Sequence, residues 1–215
     1  DLKGDLADTW ESYRINWANV SNTPFREYKH WTHEGGIRSP LVVHWPAGID
    51  PSLNNGFVRE SAHLTDIMAT CVDVAGTTFP AHLNGIDIVP MEGTSLVPHF
   101  RKQSNHRPPI FWEHEANIAM RNGDWKLVGK TPENAEFDTR TLELYHIGED
   151  PTELKNLASL FPGKLDSMYR EWETWAHKVG VFPMDTREYN VRSQAYKRMI
   201  NGEFDMDFGD WEIQN

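Results

Sequence analysis

The residues best suited to chemistry lie in one short stretch of the chain, residues 22–40. Glycine and proline punctuate this stretch, and an apolar run, residues 41–45, follows it directly. The charged and imidazole side chains of interest are Arg26, Lys29, His30, His33, Glu34 and Arg38. Positive charges and imidazoles at the mouth of a buried strand can hold an anion, because water screens fixed charge only partly there. The stretch therefore predicts an anion-binding site.

Each of these residues also has a simpler interpretation. A lysine of unknown context is most often solvated, so residue type alone makes Lys29 an exposed loop residue. His30 and His33 are spaced i, i+3 before Glu34, which suggests metal ligation, but no HExxH helix is present and two glycines follow at once. We therefore predict no metal ligands in this chain. We expect His33 to line a pocket or hydrogen-bond within the loop, and Glu34 to support an architectural turn.

Residues 22–49 closely resemble the lysine-bearing motif of sulfatases, which reads roughly N-T-P-x-R-x-x-K-x-x-x-x-E-G-G-I-R-x-P and continues into a W-P-x-x-I strand exit. Further segments resemble, in the same order, that family's next helix, a Gly-rich connection, its closing hairpin and its L-Y-D-L-x-x-D-P-x-E-x-x-N-L-A signature. These segments are residues 63–76, 85–96, 111–128 and 144–158. The similarity covers about residues 16–183 and is greatest to the bacterial arylsulfatase branch.

The resemblance implies roles for three residues. Lys29 stands where the family has a catalytic lysine that binds a sulfate oxygen and stabilises charge on the departing ester oxygen. His33 and His114 are the further substrate-binding candidates, His114 because the family's closing hairpin can reach over the pocket. An ordinary half-buried histidine is the alternative for His114. The implied substrate is an aryl or carbohydrate sulfate ester.

Other family features are missing from the sequence. The family nucleophile is a formylglycine made from Cys or Ser in a C/S-x-P-x-R motif, and the sole cysteine, Cys71, is followed by Val-Asp-Val. We therefore interpret the chain as the C-terminal portion of an arylsulfatase-like sulfuric ester hydrolase. The formylglycine and the calcium ligands would lie in the missing N-terminal portion, which would be this chain's partner. The chain alone is expected to be inactive, and the resemblance suggests a periplasmic or secreted parent protein.

Two alternatives stay open at this stage. One is a phosphate or phosphonate monoester hydrolase of the same alkaline-phosphatase-like superfamily, since the same scaffold handles both tetrahedral anions. The other is a non-catalytic remnant or binding module.

The composition argues against some classes of partner. The net charge of −11 argues against nucleic acid and anionic membrane surfaces as partners. No apolar run approaches the roughly 18 residues of a membrane span.

The sequence predicts an α/β fold in three parts. Residues 1–105 are expected to form the end of a mostly parallel sheet with helices, including a buried strand at 41–45 and a helix at 63–74 with Cys71 on its core face. Residues 106–183 are expected to form a small α+β subdomain. Its predicted elements are strands at 110–114, 118–121, 125–128 and 142–147, an Asn-Gly-Asp turn at 122–124 and a helix at 161–179. Residues 184–215 are expected to be an acidic extension.

Overall fold

A computed structural model describes residues 14–103 and 107–201 of the 215-residue chain, so parts of the predicted ranges 1–105 and 184–215 lie outside the described residues. The elements in chain order are α1 Arg14–Ser21, α2 Glu34–Ile37, a 3₁₀ turn Pro51–Leu53, α3 Thr65–Val74, β1 His82–Leu83, β2 Ile86–Asp87, α4 Val97–Phe100, β3 Ile110–His114, β4 Asn117–Asn122, β5 Trp125–Gly129, a 3₁₀ turn Thr139–Thr141, β6 Glu143–His146, α5 Pro162–Val179 and α6 Tyr189–Ile200. None of the described helices is long and apolar enough to cross a membrane.

Strands β3 to β6 form one four-stranded antiparallel sheet in sequential order. Tight turns join its first three strands, and Asn122 pairs with Trp125 across the second turn. Gly123 in that turn has a φ of +59°, a conformation that glycine adopts without steric cost. The predicted hairpins and the mixed α/β class, with an antiparallel sheet and helices, are confirmed.

Helix α5 packs across strands β4 and β5 and closes the main core. It begins with Pro162 in its first turn and ends at Gly180, whose φ of +76° is the left-handed conformation that commonly terminates a helix. Trp172 is fully buried, and its indole N–H donates to the carbonyl of Trp112 at 3.0 Å. The core consists of Ile118, Met120, Leu127, Leu142, Leu144, Met168, Trp172 and Ala176. The prediction of a helix packed on this sheet is therefore confirmed.

Residues 41–45 do not form the predicted buried strand. They are irregular in conformation, and the side chain of Val42 is 91% exposed. A strand requires a neighbour that pairs with its backbone N–H and C=O groups. Within residues 14–103 and 107–201 no strand pairs with this segment, and every strand pair is antiparallel. The buried parallel strand is thus wrong for this chain's structure.

Helix α3 is present, but the side of it that is buried is not the predicted one. Its buried residues are Asp66 and Ala69, whereas Cys71, predicted to be a core residue, is exposed. The cause is a polar anchor: the buried carboxylate of Asp66 accepts from the Thr94 amide at 2.9 Å and pairs with Arg107. Because this carboxylate must face its donors, the apolar side of the helix turns outward. The helix ends at Val74 as expected, two residues before Gly76, whose φ is +60°.

Candidate functional site

The loop that carries Lys29 folds back onto the glycines that follow it. The amide of Trp31 donates to the carbonyl of Tyr28 at 2.8 Å, and the amide of Gly35 donates to the carbonyl of Arg26 at 2.8 Å. A Cβ at Gly36 would lie 1.8 Å from the Trp31 carbonyl oxygen, so only glycine fits this close approach. The loop therefore turns Lys29 outward, while the residues after it turn inward.

Consecutive residues after the turn fasten the loop to the sheet. The hydroxyl of Thr32 donates to the carbonyl of Ile118 in β4 at 2.9 Å. The Nε2 atom of His33 lies 3.0 Å from a carboxylate oxygen of Glu143 in β6, and this imidazole is only 1% exposed. His33 is thus buried against the sheet.

Glu34 completes the attachment through a buried ion cluster. Lys126 of β5 donates from Nζ to Glu34 at 2.9 Å and to Glu153 at 2.8 Å, and all three side chains are almost completely buried. The second oxygen of Glu153 accepts from the backbone amide of Glu34 at 2.8 Å. Sequence analysis expected Glu34 to serve architecture, and the structure agrees, with the carboxylate bound by a lysine 92 residues away.

The electrostatics of Glu34 follow from this cluster. Burial alone would raise the pKa of the Glu34 carboxyl. The charge and hydrogen bond of Lys126, followed by the charges of Arg121 and Arg38, outweigh burial and hold that pKa below its usual range. Glu34 is therefore an ionised structural partner of the sheet and is not poised for proton transfer.

Lys29 opens onto a cavity of about 470 Å³ beside the attached loop. The cavity is lined by Tyr28, Lys29, His30, His114, Glu115, Glu133 and Tyr189. Lys29 and His114 are exposed, and no carboxylate within residues 14–103 and 107–201 forms an ion pair with the Lys29 ammonium group. The ammonium and the imidazole N–H groups can donate hydrogen bonds to an anion here.

His114 reaches the cavity from the end of strand β3. It pairs with Asn117 across a two-residue turn in which Glu115 and Ala116 both have positive φ, +55° and +60°. This conformation is costly for residues other than glycine and persists where surrounding contacts determine it. The contacts are present: the Ala116 amide donates to a Glu113 carboxylate oxygen at 2.7 Å, and the Asn117 side-chain amide donates to the His114 carbonyl at 3.0 Å.

The structure brings two of the three predicted site residues together. Lys29 and His114 line one cavity, and His33 lies elsewhere, beneath the loop. His30 takes the place expected of His33, with its Nδ1 atom 2.9 Å from a carboxylate oxygen of Glu115. The i, i+3 spacing of the two histidines does not indicate that His30, and not His33, lies at the cavity. Tyr189 was also missed, because it belongs to the region predicted to be an acidic extension.

Comparisons with known proteins agree with one another. A family model described as N-sulphoglucosamine sulphohydrolase, C-terminal, matches residues 27–162. An uncharacterized sulfatase of Schizosaccharomyces pombe is 30% identical over 173 residues, which cover 79% of this chain and 30% of the relative. Arylsulfatase K of Homo sapiens is 29% identical over 143 residues, which cover 63% of this chain and 25% of the relative. The chain thus spans less than a third of the length of these relatives.

One solved structure gives a matching picture of the fold. The crystal structure of Ps i-CgsB aligns with 84% of this chain and 37% of its own, with 20% identity and a TM-score of 0.60. At this identity the likeness concerns the fold alone.

Proposed function

This chain belongs to the sulfatases, in the family described as N-sulphoglucosamine sulphohydrolase, C-terminal, and on that premise we propose that it is the C-terminal portion of an arylsulfatase-like sulfuric ester hydrolase. The substrate would be an aryl or carbohydrate sulfate ester. The activity would belong to the parent protein, with the formylglycine nucleophile contributed by residues outside this chain.

Lys29 is the residue that we propose to act directly on the substrate. Its ammonium group would donate to a sulfate oxygen and stabilise the negative charge that develops as the ester oxygen departs. The imidazole of His114, which lines the same cavity, would donate a further hydrogen bond to the substrate. The observation that carries this proposal is the shared cavity, in which Lys29, which has no carboxylate partner within residues 14–103 and 107–201, lies beside an exposed histidine.

Calcium, which the family resemblance implies, is assigned to residues outside this chain. The cavity beside Lys29 offers two imidazoles among its potential ligands, whereas calcium prefers six to eight oxygen ligands. This donor set does not fit calcium, and Lys29 needs no metal to bind an anion.

We also propose that the rest of the parent protein covers apolar surface exposed on this chain. Val42 lies in the unpaired segment 41–45, and Ile67 and Met68 lie on the outward side of α3. Exposed apolar side chains on segments of this kind usually mark an interface. The isolated chain is accordingly expected to bind a hydrophobic dye and to leave an aryl sulfate unhydrolysed. A chain that binds no dye and remains strictly monomeric would count against this interface.

Substitution of Lys29 in the full-length parent protein tests the proposed function. Lys29→Ala should lower turnover of a chromogenic aryl sulfate about 10²–10³-fold, roughly 3–4 kcal/mol, because one preorganised donor to the developing charge is lost. Lys29→Arg should restore activity only in part, since a planar fork replaces a compact ammonium. The matched control is Lys178→Ala, an exposed lysine at the end of α5, which should leave turnover unchanged.

The outcomes separate the competing functions. Wild-type turnover in Lys29→Ala, with unchanged circular dichroism, would show that Lys29 is merely solvated. Faster hydrolysis of an aryl phosphate or phosphonate than of the sulfate would assign the parent protein to phosphoester chemistry. A folded full-length protein that hydrolyses neither ester would be a non-catalytic remnant or binding module.

A further inference from the structure

A group of potential metal ligands lies at the cavity beside Lys29. His30, His114 and Glu115 each offer one ligand atom, and these atoms all lie within 4.8 Å of one another. Among the residues that the structure describes, no other group of three histidine, cysteine, aspartate or glutamate side chains meets this condition. The three come from two separate parts of the chain, the loop before α2 and the end of β3 with its turn, so folding is what assembles them.

We propose that His30, His114 and Glu115 form a binding site for a divalent transition-metal ion, with zinc the best match. Two imidazoles and one carboxylate are a ligand set that zinc accepts, and three protein ligands leave one coordination position for water or a substrate atom. Ligands about 2.0–2.1 Å from a tetrahedral ion stand roughly 3.4 Å apart. Side-chain rotation can close the present spacing of up to 4.8 Å to that value.

The surroundings of Glu115 orient it for this role. One of its carboxylate oxygens, Oε1, pairs with the guanidinium of Arg192 at 2.6 Å. The other, Oε2, lies 2.9 Å from Nδ1 of His30 and is the oxygen available to an ion. A carboxylate ligand held by a neighbouring hydrogen-bond donor is the usual arrangement at metal sites, where such partners fix the ligand's direction.

The two histidines are also held in place. The ring of His30 lies edge-on against Trp31 with their centroids 4.5 Å apart, and 5.8 Å from the ring of His114. His114 is positioned by the strained two-residue turn, whose second residue, Ala116, is completely buried. These contacts fix where the two histidines stand, so that only side-chain adjustment is needed when an ion binds.

The charge of Lys29 should weaken cation binding at this site. Its positive charge lines the same cavity and opposes a cation, so binding should be weaker than at a structural zinc site with four protein ligands. The competing explanation is that His30 and Glu115 form a simple ion pair at 2.9 Å. An ion pair needs no third ligand, so the effect of His114 on metal binding distinguishes the two. In a zinc-bound chain His114 would serve as a ligand in place of the substrate contact proposed above, and the inference stands whether or not the parent protein hydrolyses sulfate esters.

The test is a zinc titration of the tag-free chain by isothermal calorimetry at neutral pH, with calcium as the comparison ion. One zinc ion should bind per chain, calcium should not, and cobalt should give the visible absorption of a four-coordinate site. His30→Ala and His114→Ala should each weaken zinc binding more than about 100-fold. Arg192→Gln, which removes only the partner of Glu115, should weaken it by about 10-fold.

The control is His82→Ala, because His82 forms an exposed ion pair with Asp87 at 2.5 Å without a third ligand. This variant should bind zinc as the unaltered chain does. Circular dichroism must show that each variant is folded, and where an alanine variant fails, His114→Asn replaces it. Absence of zinc binding, or binding unchanged in folded His30→Ala and His114→Ala, would overturn the proposal and leave an ion pair in its place.

Discussion

The buried Lys126 cluster yields the sharpest test of how the Lys29 loop is held on the sheet. Lys126→Met keeps an unbranched apolar side chain, one atom shorter than lysine, but removes the charge and its three donors. Glu34 and Glu153 then lose the cation that lies 2.9 and 2.8 Å from them, in a site where all three side chains are nearly inaccessible to water. Removing one partner of a buried ion pair typically costs 3–5 kcal/mol, because the remaining charge is uncompensated.

The structure places this variant near the lower end of that range. Glu34 would retain Arg38 at 3.2 Å and, more distantly, Arg121 at 4.0 Å. Glu153 would retain the backbone amide of Glu34 at 2.8 Å. We therefore expect a loss of about 3 kcal/mol, which is a large share of the 5–15 kcal/mol that stabilises a typical domain.

Urea unfolding at neutral pH, followed by tryptophan fluorescence, measures this loss. The matched control is Lys130→Met, the same change at a lysine that pairs with Glu27 at 2.6 Å but is 42% exposed. A partly exposed pair contributes about 0–1 kcal/mol, and the contact of the Lys130 ammonium with the Trp31 ring, 3.9 Å away, contributes about 0.5–1 kcal/mol. The two variants should therefore differ by at least about 1 kcal/mol. Equal losses in the two variants would refute the view that burial sets the strength of the cluster.

The stability difference between the unaltered chain and Lys126→Met should depend on pH, with a sign that follows from the pKa of Glu34. In the unaltered chain the pKa of Glu34 is below its usual range, so its contribution to stability is complete above the unfolded pKa of about 4.3 and is lost as the pH falls below it. In Lys126→Met the Glu34 carboxylate lacks its main cation, which raises the pKa of Glu34 and lets protonation relieve the penalty. The stability difference between the two proteins should therefore narrow on acidification from neutral pH. A difference that widens would contradict this reasoning.

Three further substitutions test the other parts of the fold. Trp172→Ala should cost about 3–5 kcal/mol in urea unfolding, because the ring is the largest fully buried side chain of the core; a loss below 1 kcal/mol would mean that the core is not packed as described. Gly36→Ala should cost at least about 1–3 kcal/mol, since its Cβ would lie 1.8 Å from the Trp31 carbonyl oxygen, and an unchanged midpoint would disprove that close approach. Burial would raise the pKa of Asp66, but hydrogen bonds from Arg107 and two backbone amides hold it below its usual range. Stability should therefore fall as the pH drops below about 3.9, and this fall should be smaller in Asp66→Asn.

The antiparallel subdomain could be predicted from the sequence because its information is local. The Asn-Gly-Asp turn at 122–124 identified a hairpin, and strands β4 and β5 pair across it. Helix α5 was visible as an apolar stripe within residues 161–179, and two residues of that stripe, Met168 and Trp172, are buried in the core. Both elements find their packing partners within this chain, so pattern and environment agree.

The segments that were predicted wrongly from the sequence depend on neighbouring strands that pair with them, or on which side chains of a helix are buried. The apolar run 41–45 indicates burial, but a pattern does not say which neighbour supplies it, and the described residues supply none. Helix α3 was given the wrong face because one buried carboxylate, that of Asp66, outweighs several apolar residues in setting its rotation. Burying a charge without its partners costs more than exposing a few methyl groups.

The same competition explains the exchange of two histidines at the candidate site. His30 and His33 are alike in type and three residues apart, so spacing alone does not rank them. Glu143 in β6 binds His33, and this contact leaves His30 to face Glu115 at the cavity. Glu143 lies 110 residues from His33, which places the deciding contact beyond any local pattern.

The position of Lys29 therefore depends on residues that never touch it. Thr32, His33 and Glu34 follow it closely in the chain and bind strands β4, β6 and β5 respectively. Since His114 is the last residue of β3 in the same sheet, one folded unit fixes both sides of the cavity. Loosening the sheet would move the lysine and the histidine relative to each other, even with both side chains intact. The small subdomain thus positions the side chains of the site. Substitutions in its interior should therefore lower the rate of any reaction that uses Lys29.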